Sequence, residues 1–502
     1  MFESAEMHHE VDEKTYDKDI EKLREELVDA QYDMLEDKSF PVVVIVSGFD
    51  GAGKGETANL LQEWLDPRHV RSRAFGAPTE AERLRPPMWR FWSALPPKGK
   101  IGVLFGSWYS DPISQRFENE IDDRELDTRL EGVRSFEQLL IDDGTVIVKL
   151  WFHLSKKAQR KRLKELEDDK LTRWRVTKND WKTFEKYDHF RKTSEHVLRE
   201  TSTGAAPWLV IDGSDNKYRT LMVGRALLAA IRGRLNAAPK LKKNPKKTGA
   251  GATPPSAVSM LHTIDTTAIL KTLKFDEVVE KADYKKRLAH AQESLGKLAR
   301  HQGMQKHSVV AVFEGMDAGG KGGAIRRITQ SIDARAYQVI PVAAPTDEER
   351  AQPYLWRFWR NIPRIGRFVI FDRSWYGRVL VERVEGFASE EAWSRSYREI
   401  NEFEEQLASS GIILAKFWLA VTKDEQMRRF KEREATKRKR YKITDEDWRN
   451  RKKWDEYVVA ASDMIDRTST PYAPWTIIEA NDKNSARLKV IETLNDRIKD
   501  VF

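Results

Sequence analysis

The feature that most constrains this chain is an internal repeat in which the same residues recur with an offset of 267 positions. Trp89-Arg90-Phe91-Trp92 recurs as Trp356-Arg357-Phe358-Trp359, and Ser107-Trp108-Tyr109 recurs as Ser374-Trp375-Tyr376. Tryptophan is a rare residue, so chance does not keep several tryptophans in one register over so long a span. The repeat therefore predicts two copies of one folded module.

The repeat also predicts where the domains begin and end. The last residue, Phe502, corresponds to Leu235, so we expect a first domain over residues 1–235 and a second over residues 261–502. Residues 236–260 between them are rich in Pro, Lys, Gly, Ala and Thr, which is typical of a flexible basic linker. A chain of 502 residues is long enough for two domains.

Each copy alternates short apolar runs with helical patterns. Such alternation predicts an α/β fold, with a parallel sheet between layers of helices. The predicted strands are Pro41–Ser47, Ile101–Phe105, Thr145–Trp151 and Trp208–Ile211 in the first copy, and Val309–Phe313, Phe368–Phe371, Ile412–Trp418 and Trp475–Ile478 in the second.

A glycine-rich motif follows the first predicted strand of each copy. Residues 48–54 and 315–321 both read G-x-x-x-x-G-K, and each run precedes a predicted helix. In this context the motif is a P-loop, whose backbone N–H groups and lysine bind phosphate. The residues concerned are Gly48, Asp50, Gly53 and Lys54 in the first copy, and Gly315, Asp317, Gly320 and Lys321 in the second, where Gly322 is also expected to contact phosphate.

Both P-loops depart from the usual pattern in two ways. The hydroxyl residue that normally follows the lysine and binds Mg²⁺ is Gly55 or Gly322 here. An aspartate lies inside the loop instead, and its carboxylate would repel a bare phosphate. We therefore expect Asp50 or Asp317 to act through Mg²⁺ or a metal-bound water.

A second acidic position distinguishes the two copies. Asp372 follows a predicted buried strand in the second copy, at the end where open α/β sheets bind ligands. There it could hold Mg²⁺ as a Walker B carboxylate, and the adjacent Arg373 could stabilise the transferring phosphoryl group. The first copy has Phe105 and Gly106 at these positions, so we expect only the second site to be fully equipped.

A dense basic segment, Arg428–Lys442, follows a helical stretch in the second copy. Density and position favour a phosphate-binding lid over a solvated charged helix, with Lys439, Arg440 and Lys442 as the residues concerned. Arg357, within the repeated Trp-Arg-Phe-Trp run, is a further candidate for contact with phosphate, although aromatic runs of this kind usually belong to a core.

Composition narrows the classes of function. The net charge of +9 favours an anionic partner, and the absence of cysteine excludes disulfides and thiol catalysis. The acidic N-terminal segment has no apolar run typical of a signal peptide, and the apolar stretches are too short to cross a bilayer. A cytoplasmic location and no membrane partner are expected.

The chain resembles the polyphosphate kinase 2 family over essentially its whole length. The resemblance rests on four segments: residues 314–323, Asp372–Tyr376, Lys439–Lys442 and Thr470–Trp475. It implies tandem P-loop kinase domains similar to thymidylate kinases, the use of Mg²⁺, and, for the two-module form, phosphorylation of AMP to ADP from polyphosphate. The residues agree, because an anionic acceptor oxygen needs no general base, and catalysis then depends on positioning and charge stabilisation.

Other functions fit parts of the same pattern. Phosphorylation of ADP or GDP by polyphosphate and a nucleotide kinase with ATP as donor both use these residues. A nucleic-acid-binding ATPase would use the basic segments on a phosphodiester backbone, but no base-stacking platform or helicase motif set is present, so no nucleic-acid partner is expected. The first copy could instead be structural or regulatory, and a homo-oligomer is compatible with the sequence.

Overall fold

The computed structural model describes residues 1–237 and 268–502. The side chains of Ala268, Arg438, Lys439 and Lys442 lie outside the description, as do residues 238–260 of the predicted linker. The chain divides into two compact units, each with one five-stranded sheet. No helix in the described ranges has the length and apolar character needed to cross a bilayer.

The first unit has a wholly parallel sheet in the order β2-β3-β1-β4-β5. Its central strand, β1, consists almost entirely of buried β-branched residues, as expected when both faces of a parallel sheet are covered by helices. The strands are β1 Val42–Gly48, β2 Val70–Ala74, β3 Ile101–Phe105, β4 Val146–His153 and β5 Trp208–Asp212.

The second unit repeats this topology in the order β10-β9-β6-β8-β7, again with every pair parallel. The P-loop strand β6 is central, and β8 is its neighbour, with Phe313 paired to Asp372. The strands are β6 Ser308–Gly315, β7 Tyr337–Pro341, β8 Phe368–Asp372, β9 Ile412–Ala420 and β10 Trp475–Glu479.

Helices connect the strands and cover the sheets. The α-helices of the first unit's repeat are Glu13–Asp37, Lys54–Trp64, Glu80–Arg83, Trp89–Trp92, Ser110–Phe117, Asp123–Asp142, Lys156–Asp168, Lys178–Glu185, Tyr187–Thr201 and Asn216–Ala237. Those of the second repeat are Ala268–Lys271, Lys281–Leu298, Lys321–Thr329, Asp347–Arg350, Trp356–Trp359, Val381–Val384, Glu390–Ser409, Lys423–Ala435, Asp445–Lys452, Trp454–Thr468 and Lys483–Lys499. The α/β fold with parallel sheets is confirmed.

One strand in each unit was absent from the sequence prediction. Strands β2 and β7 lie at the sheet edges, with the sequences VRSRA and YQVIP; β2 is mostly exposed and β7 is partly exposed. Neither has the continuous apolar run of a buried strand, because an edge strand with an exposed face needs none. Pairing with the adjacent strand, rather than burial, determines their conformation.

Each sheet contains a buried lysine paired with a carboxylate from a covering helix. Lys416 Nζ lies 2.6 Å from Glu404 Oε2, and Lys149 Nζ lies 2.7 Å from Glu137 Oε2 in the first unit. All four side chains are almost fully buried. Burial lowers the pKa of Lys416, although Glu404 opposes this effect. Breaking such a pair leaves an uncompensated charge in the core, so it strongly restrains the surrounding structure.

Candidate active site

The P-loop of the second unit joins β6 to the helix Lys321–Thr329. Gly315 has φ +139°, and a Cβ atom there would lie 2.4 Å from the Leu419 carbonyl oxygen of β9. Gly320 lies directly before the helix Lys321–Thr329 and has φ +108°, a left-handed conformation that glycine adopts easily. Lys321 Nζ donates to the Gly315 carbonyl at 2.7 Å, so the lysine lies across the mouth of the loop.

Asp317 is fixed in the P-loop by three polar neighbours. Asn450 Nδ2 donates to its carboxylate at 2.8 Å, and Arg373 Nη2 lies 3.6 Å from the same group. Gln426 Nε2 donates to its backbone carbonyl at 3.0 Å. The P-loop aspartate and the arginine predicted beside Asp372 are therefore brought together by the fold.

Asp372 and Arg373 follow β8 at the carboxyl edge of the sheet. Arg373 has φ +86°, an unusual conformation for a residue with a side chain, and its N–H donates to the Phe313 carbonyl at 3.0 Å. Its guanidinium also lies 3.8 Å from Glu446. The half-buried Asp372 carboxylate forms no hydrogen bond or salt bridge with the residues that the structure describes.

The segment after Asp372 is anchored by two buried carboxylates that sequence reasoning did not identify as functional. Ser374 Oγ donates to Glu314 at 2.8 Å. Trp375 Nε1 and Tyr376 Oη donate to Glu404 at 3.0 and 2.6 Å. The P-loop strand and the buried lysine–glutamate pair thus hold the loop that carries Asp372 and Arg373. The sequence signals were Glu314 and Lys416, which lie inside otherwise apolar strands, whereas Glu404 lies in a helix with several other glutamates.

Glu314 is the most perturbed acid of this site. Burial raises its pKa to about 7, against the opposing effects of Lys321 and the Ser374 hydrogen bond. It is only 5% exposed, and it lies at the end of β6 next to the P-loop. A strongly perturbed acid in a cleft is typical of functional sites, although structural networks also produce it.

A small cavity of about 80 Å³ opens on the β8 side of this loop. Asp317, Lys321 and Arg373 form its polar wall, and Leu380 and Tyr457 belong to its apolar wall. Trp418 also lines it, and the indole N–H of this residue has no hydrogen-bond partner among the described residues. Charged and apolar side chains therefore line the same cavity.

A separate cleft of about 190 Å³ lies against residues 318–324 of the P-loop and following helix. Its wall is strongly basic and contains Arg429, Arg433, Lys483 and Arg487, with Glu432 as the acidic member. Arg429 is buried and donates to the Ala318 carbonyl at 2.9 Å, which fixes the loop from outside. Sequence reasoning missed Lys483 and Arg487, because they follow β10, far along the chain from the basic segment.

Two predicted phosphate contacts lie elsewhere. Arg357 donates to the Ala343 carbonyl at 3.1 Å, stacks on Phe358 and lines neither cavity. Arg440 is exposed and donates to the Glu434 carbonyl at 2.8 Å. The side chains of Lys439 and Lys442 are outside the described residues, so their predicted role stays a prediction.

Gly322 lies in the first turn of the helix Lys321–Thr329, and a Cβ atom there would meet no atom within 4 Å.

The first unit retains the P-loop but not the groups around it. Lys54 Nζ donates to the Gly48 carbonyl at 2.7 Å, as in the second unit, and to Asp50 Oδ1 at 3.1 Å. Phe105 and Gly106 occupy the positions of the second acid and the arginine. Gly106 keeps a positive φ of +63°, so the backbone conformation persists after the arginine is lost.

Both repeats match a known protein family. A sequence model of polyphosphate kinase 2 (PPK2) matches residues 10–239 and 278–501, once for each repeat. The chain belongs to the polyphosphate kinase 2 family. The resemblance seen in the P-loop, the Asp372–Tyr376 segment and the duplication is confirmed by this match.

Full-length relatives share the two-repeat organisation. The polyphosphate:AMP phosphotransferase of Pseudomonas aeruginosa is 51% identical over 502 residues, covering 100% of this chain and 99% of that protein. That of Acinetobacter johnsonii is 39% identical over 486 residues, covering 95% and 96%. A crystal structure of a polyphosphate kinase 2 from Pseudomonas aeruginosa PA01 aligns with a TM-score of 0.89 at 49% identity, covering 100% and 99%.

Proposed function

We propose that the second unit transfers a phosphoryl group from inorganic polyphosphate to AMP, giving ADP and a polymer shorter by one phosphate. The observation that carries this proposal is the arrangement around one P-loop, with a basic cleft on one side and a small, partly apolar cavity on the other. The names of the full-length relatives support the same reaction.

The basic cleft suits a polyanionic donor. Arg429, Arg433, Lys483 and Arg487 surround it, and burial together with the neighbouring Arg429 lowers the pKa of Lys483. Several positive charges close together create a positive electrostatic potential, which attracts a chain of phosphates. A nucleoside triphosphate donor would also need a surface on which its base could stack, and none of the described residues that line this cleft is aromatic.

The residues around the small cavity on the other side suit the acceptor, and the cavity of about 80 Å³ would have to enlarge to admit a whole nucleotide. The phosphate of AMP would meet Arg373 and Lys321, while the nucleoside would lie against Leu380, Val381 and Tyr457. This order places the acceptor oxygen beside the P-loop, where the terminal phosphate of the donor would be held. Holding both groups together removes much of the entropic barrier to their reaction.

The residues also fit one or more magnesium ions. Mg²⁺ binds proteins through one or two carboxylates together with substrate phosphates and water. Asp317, in the loop after β6, and Asp372, at the end of the neighbouring strand β8, offer such carboxylates. The described residues contain no cluster of three or more metal-ligating side chains, which is consistent with this sparse mode. When bound, the ion would neutralise charge on the phosphates.

The reaction then needs little from the protein beyond position and charge. An oxygen of the AMP phosphate forms a new P–O bond as the terminal anhydride bond of the polymer breaks, and the shortened polymer leaves with the electron pair. No proton is removed from the anionic acceptor. Lys321 and Arg373 would stabilise the charge that develops on the transferred group. A cytoplasmic location, where AMP is available, follows from the proposal.

A donor and acceptor matrix tests the proposal. The purified protein is incubated with polyphosphate or ATP as donor and AMP, ADP, GMP or GDP as acceptor, with and without Mg²⁺. We expect the highest turnover with polyphosphate, AMP and Mg²⁺. A preference for ATP would make the protein an ordinary nucleotide kinase, and a preference for ADP or GDP would assign the acceptor to nucleoside diphosphates.

A further inference from the structure

The first unit contains a cavity of about 410 Å³ in the place where the second unit has one of about 80 Å³. Three substitutions enlarge it: Gly106 corresponds to Arg373, Asn179 to Glu446 and Ser47 to Glu314. Each removes a charged side chain and leaves a smaller neutral one. The resulting volume is within the range of small-molecule binding sites.

The walls of this cavity are suited to an aromatic ring next to a phosphate. Phe117, Tyr187 and Phe190 line it, together with the P-loop residue Lys54. Trp151 also lines it and is 1% exposed, and its indole N–H has no hydrogen-bond partner among the described residues. A buried donor without a partner costs free energy, so a ligand that accepts a hydrogen bond there is stabilised.

The charge balance of the cavity disfavours a polyanion. Lys54 lies 3.1 Å from Asp50, and the other charged residue of the wall, Glu118, adds a negative charge that is paired with Lys186 at 3.2 Å. A single phosphate can use the loop N–H groups and Lys54, but a chain of phosphates finds no further cation in the cavity wall.

The basic donor cleft of the second unit has no counterpart in the first. Arg433, Lys483 and Arg487 correspond to Leu166, Asn216 and Thr220, so three positive charges are lost, and one is gained because Ala486 corresponds to Arg219.

A buried arginine also fills the space beside the first P-loop. A Cβ atom on Gly53 would lie 2.1 Å from Cζ of Arg219. This guanidinium is satisfied within the protein, since it donates to the Gly213 carbonyl, Thr57 and Glu56 at 3.0, 3.0 and 2.9 Å. It therefore blocks the side of the loop on which the second unit presents its basic cleft.

We propose that the first unit binds a nucleoside monophosphate in this cavity without transferring a phosphoryl group to or from it. The phosphate lies at the first P-loop and Lys54, and the base lies among the aromatic side chains near Phe117 and Phe190. The first unit is then a nucleotide-binding site that has lost its donor. The argument that polyphosphate is excluded rests on the proposed function of the second unit, whereas nucleotide binding itself does not.

Binding stoichiometry in the full-length protein tests this proposal. Calorimetric titration with AMP alone, without polyphosphate, should give two sites per chain. Ser114, an exposed residue of the cavity wall, is replaced by phenylalanine to fill the cavity, and Val381→Phe is the matched variant at the corresponding position of the second unit. Each variant should lose one of the two sites, and Ser114→Phe should retain phosphotransfer.

A second variant covers the case in which Ser114→Phe alters folding, which circular dichroism would show. Lys54→Ala should weaken AMP binding at the Ser114-sensitive site about tenfold or more, because a charge-assisted hydrogen bond is lost. A wild type without any AMP site that is sensitive to Ser114→Phe, or AMP sites that all survive in both Ser114→Phe and Lys54→Ala, would overturn the proposal. Displacement of AMP from this site by tripolyphosphate would show that the unit binds the polymer instead. Loss of phosphotransfer in a folded Ser114→Phe variant would contradict the non-catalytic role of the first unit. Absence of phosphotransfer in the wild type would count against the proposed function of the second unit and not against this site.

Discussion

Replacing Glu314 with glutamine should change the pH dependence of stability of the second unit. The substitution keeps the size of the side chain and its ability to accept the hydrogen bond from Ser374 at 2.8 Å, but removes the charge. Burial raises the pKa of Glu314 from the ordinary 4.5 to about 7, so the folded protein holds this proton where the unfolded chain has released it.

The sign of the effect follows from this difference in proton binding. Well below pH 4.5 Glu314 is protonated in both the folded and the unfolded state, so its raised pKa does not reduce the free energy of unfolding. As the pH rises towards 7, the unfolded state loses its proton first, so the wild type loses stability, and the loss is complete above the folded pKa. The rise in the pKa of Glu314 from 4.5 to about 7 corresponds to about 3 kcal/mol of unfolding free energy, at 1.36 kcal/mol per pKa unit.

Denaturant unfolding of the wild type and Glu314→Gln at about pH 5 and about pH 8 measures this quantity. The stability of the variant relative to the wild type should increase by about 2 to 3 kcal/mol between the two pH values. Glu456→Gln, which changes an exposed carboxylate of the same unit, is the control and should alter stability little at either pH. An equal difference between wild type and Glu314→Gln at both pH values would refute the reasoning.

Three further predictions concern the site and its support. Asp372→Asn should keep the fold and abolish Mg²⁺-dependent transfer, since it retains shape and removes charge; a folded variant with near wild-type turnover would make Asp372 structural. Lys416→Met should cost about 3 to 5 kcal/mol of unfolding free energy by leaving Glu404 buried without its partner, and a cost below about 1 kcal/mol would contradict the assigned pairing. The KM for polyphosphate should rise with salt concentration, because salt screens the positive charges of the basic cleft. It should also rise in Lys483→Ala and Arg487→Ala, whereas the KM for AMP should change less. A KM for polyphosphate that does not depend on salt would argue against the basic cleft as the donor site.

The central strands and the P-loops could be predicted from the sequence because local physics determines them. A run such as Val42–Val46 is apolar on both faces, and the glycines after it are required by the backbone. Strands β2 and β7 could not be predicted in this way, because their edge position depends on pairing with residues distant in the chain.

The site residues also divide into those that local sequence motifs predicted and those that only the three-dimensional structure identified. Asp317, Lys321, Asp372 and Arg373 lie in recognisable local motifs, and the structure places them at one sheet edge. The contributions of Glu314 and Glu404 depend on three-dimensional contacts with the segment that follows Asp372. Lys483 and Arg487 reach the basic cleft only because β10 lies beside β9. Pattern alone did not distinguish these residues from ordinary surface or core positions.

The measurement that tests the central claim most directly is a comparison of the two P-loop lysines. Lys321→Ala and Lys54→Ala are matched, since each lysine donates to the first glycine of its own loop at 2.7 Å. With polyphosphate, AMP and Mg²⁺, Lys321→Ala should lower kcat by about 10²-fold or more, because a positioned charge is lost from the transition state. Lys54→Ala should have a much smaller effect on kcat. Equal losses in the two variants, or a larger loss from Lys54→Ala, would contradict the assignment of catalysis to the second unit.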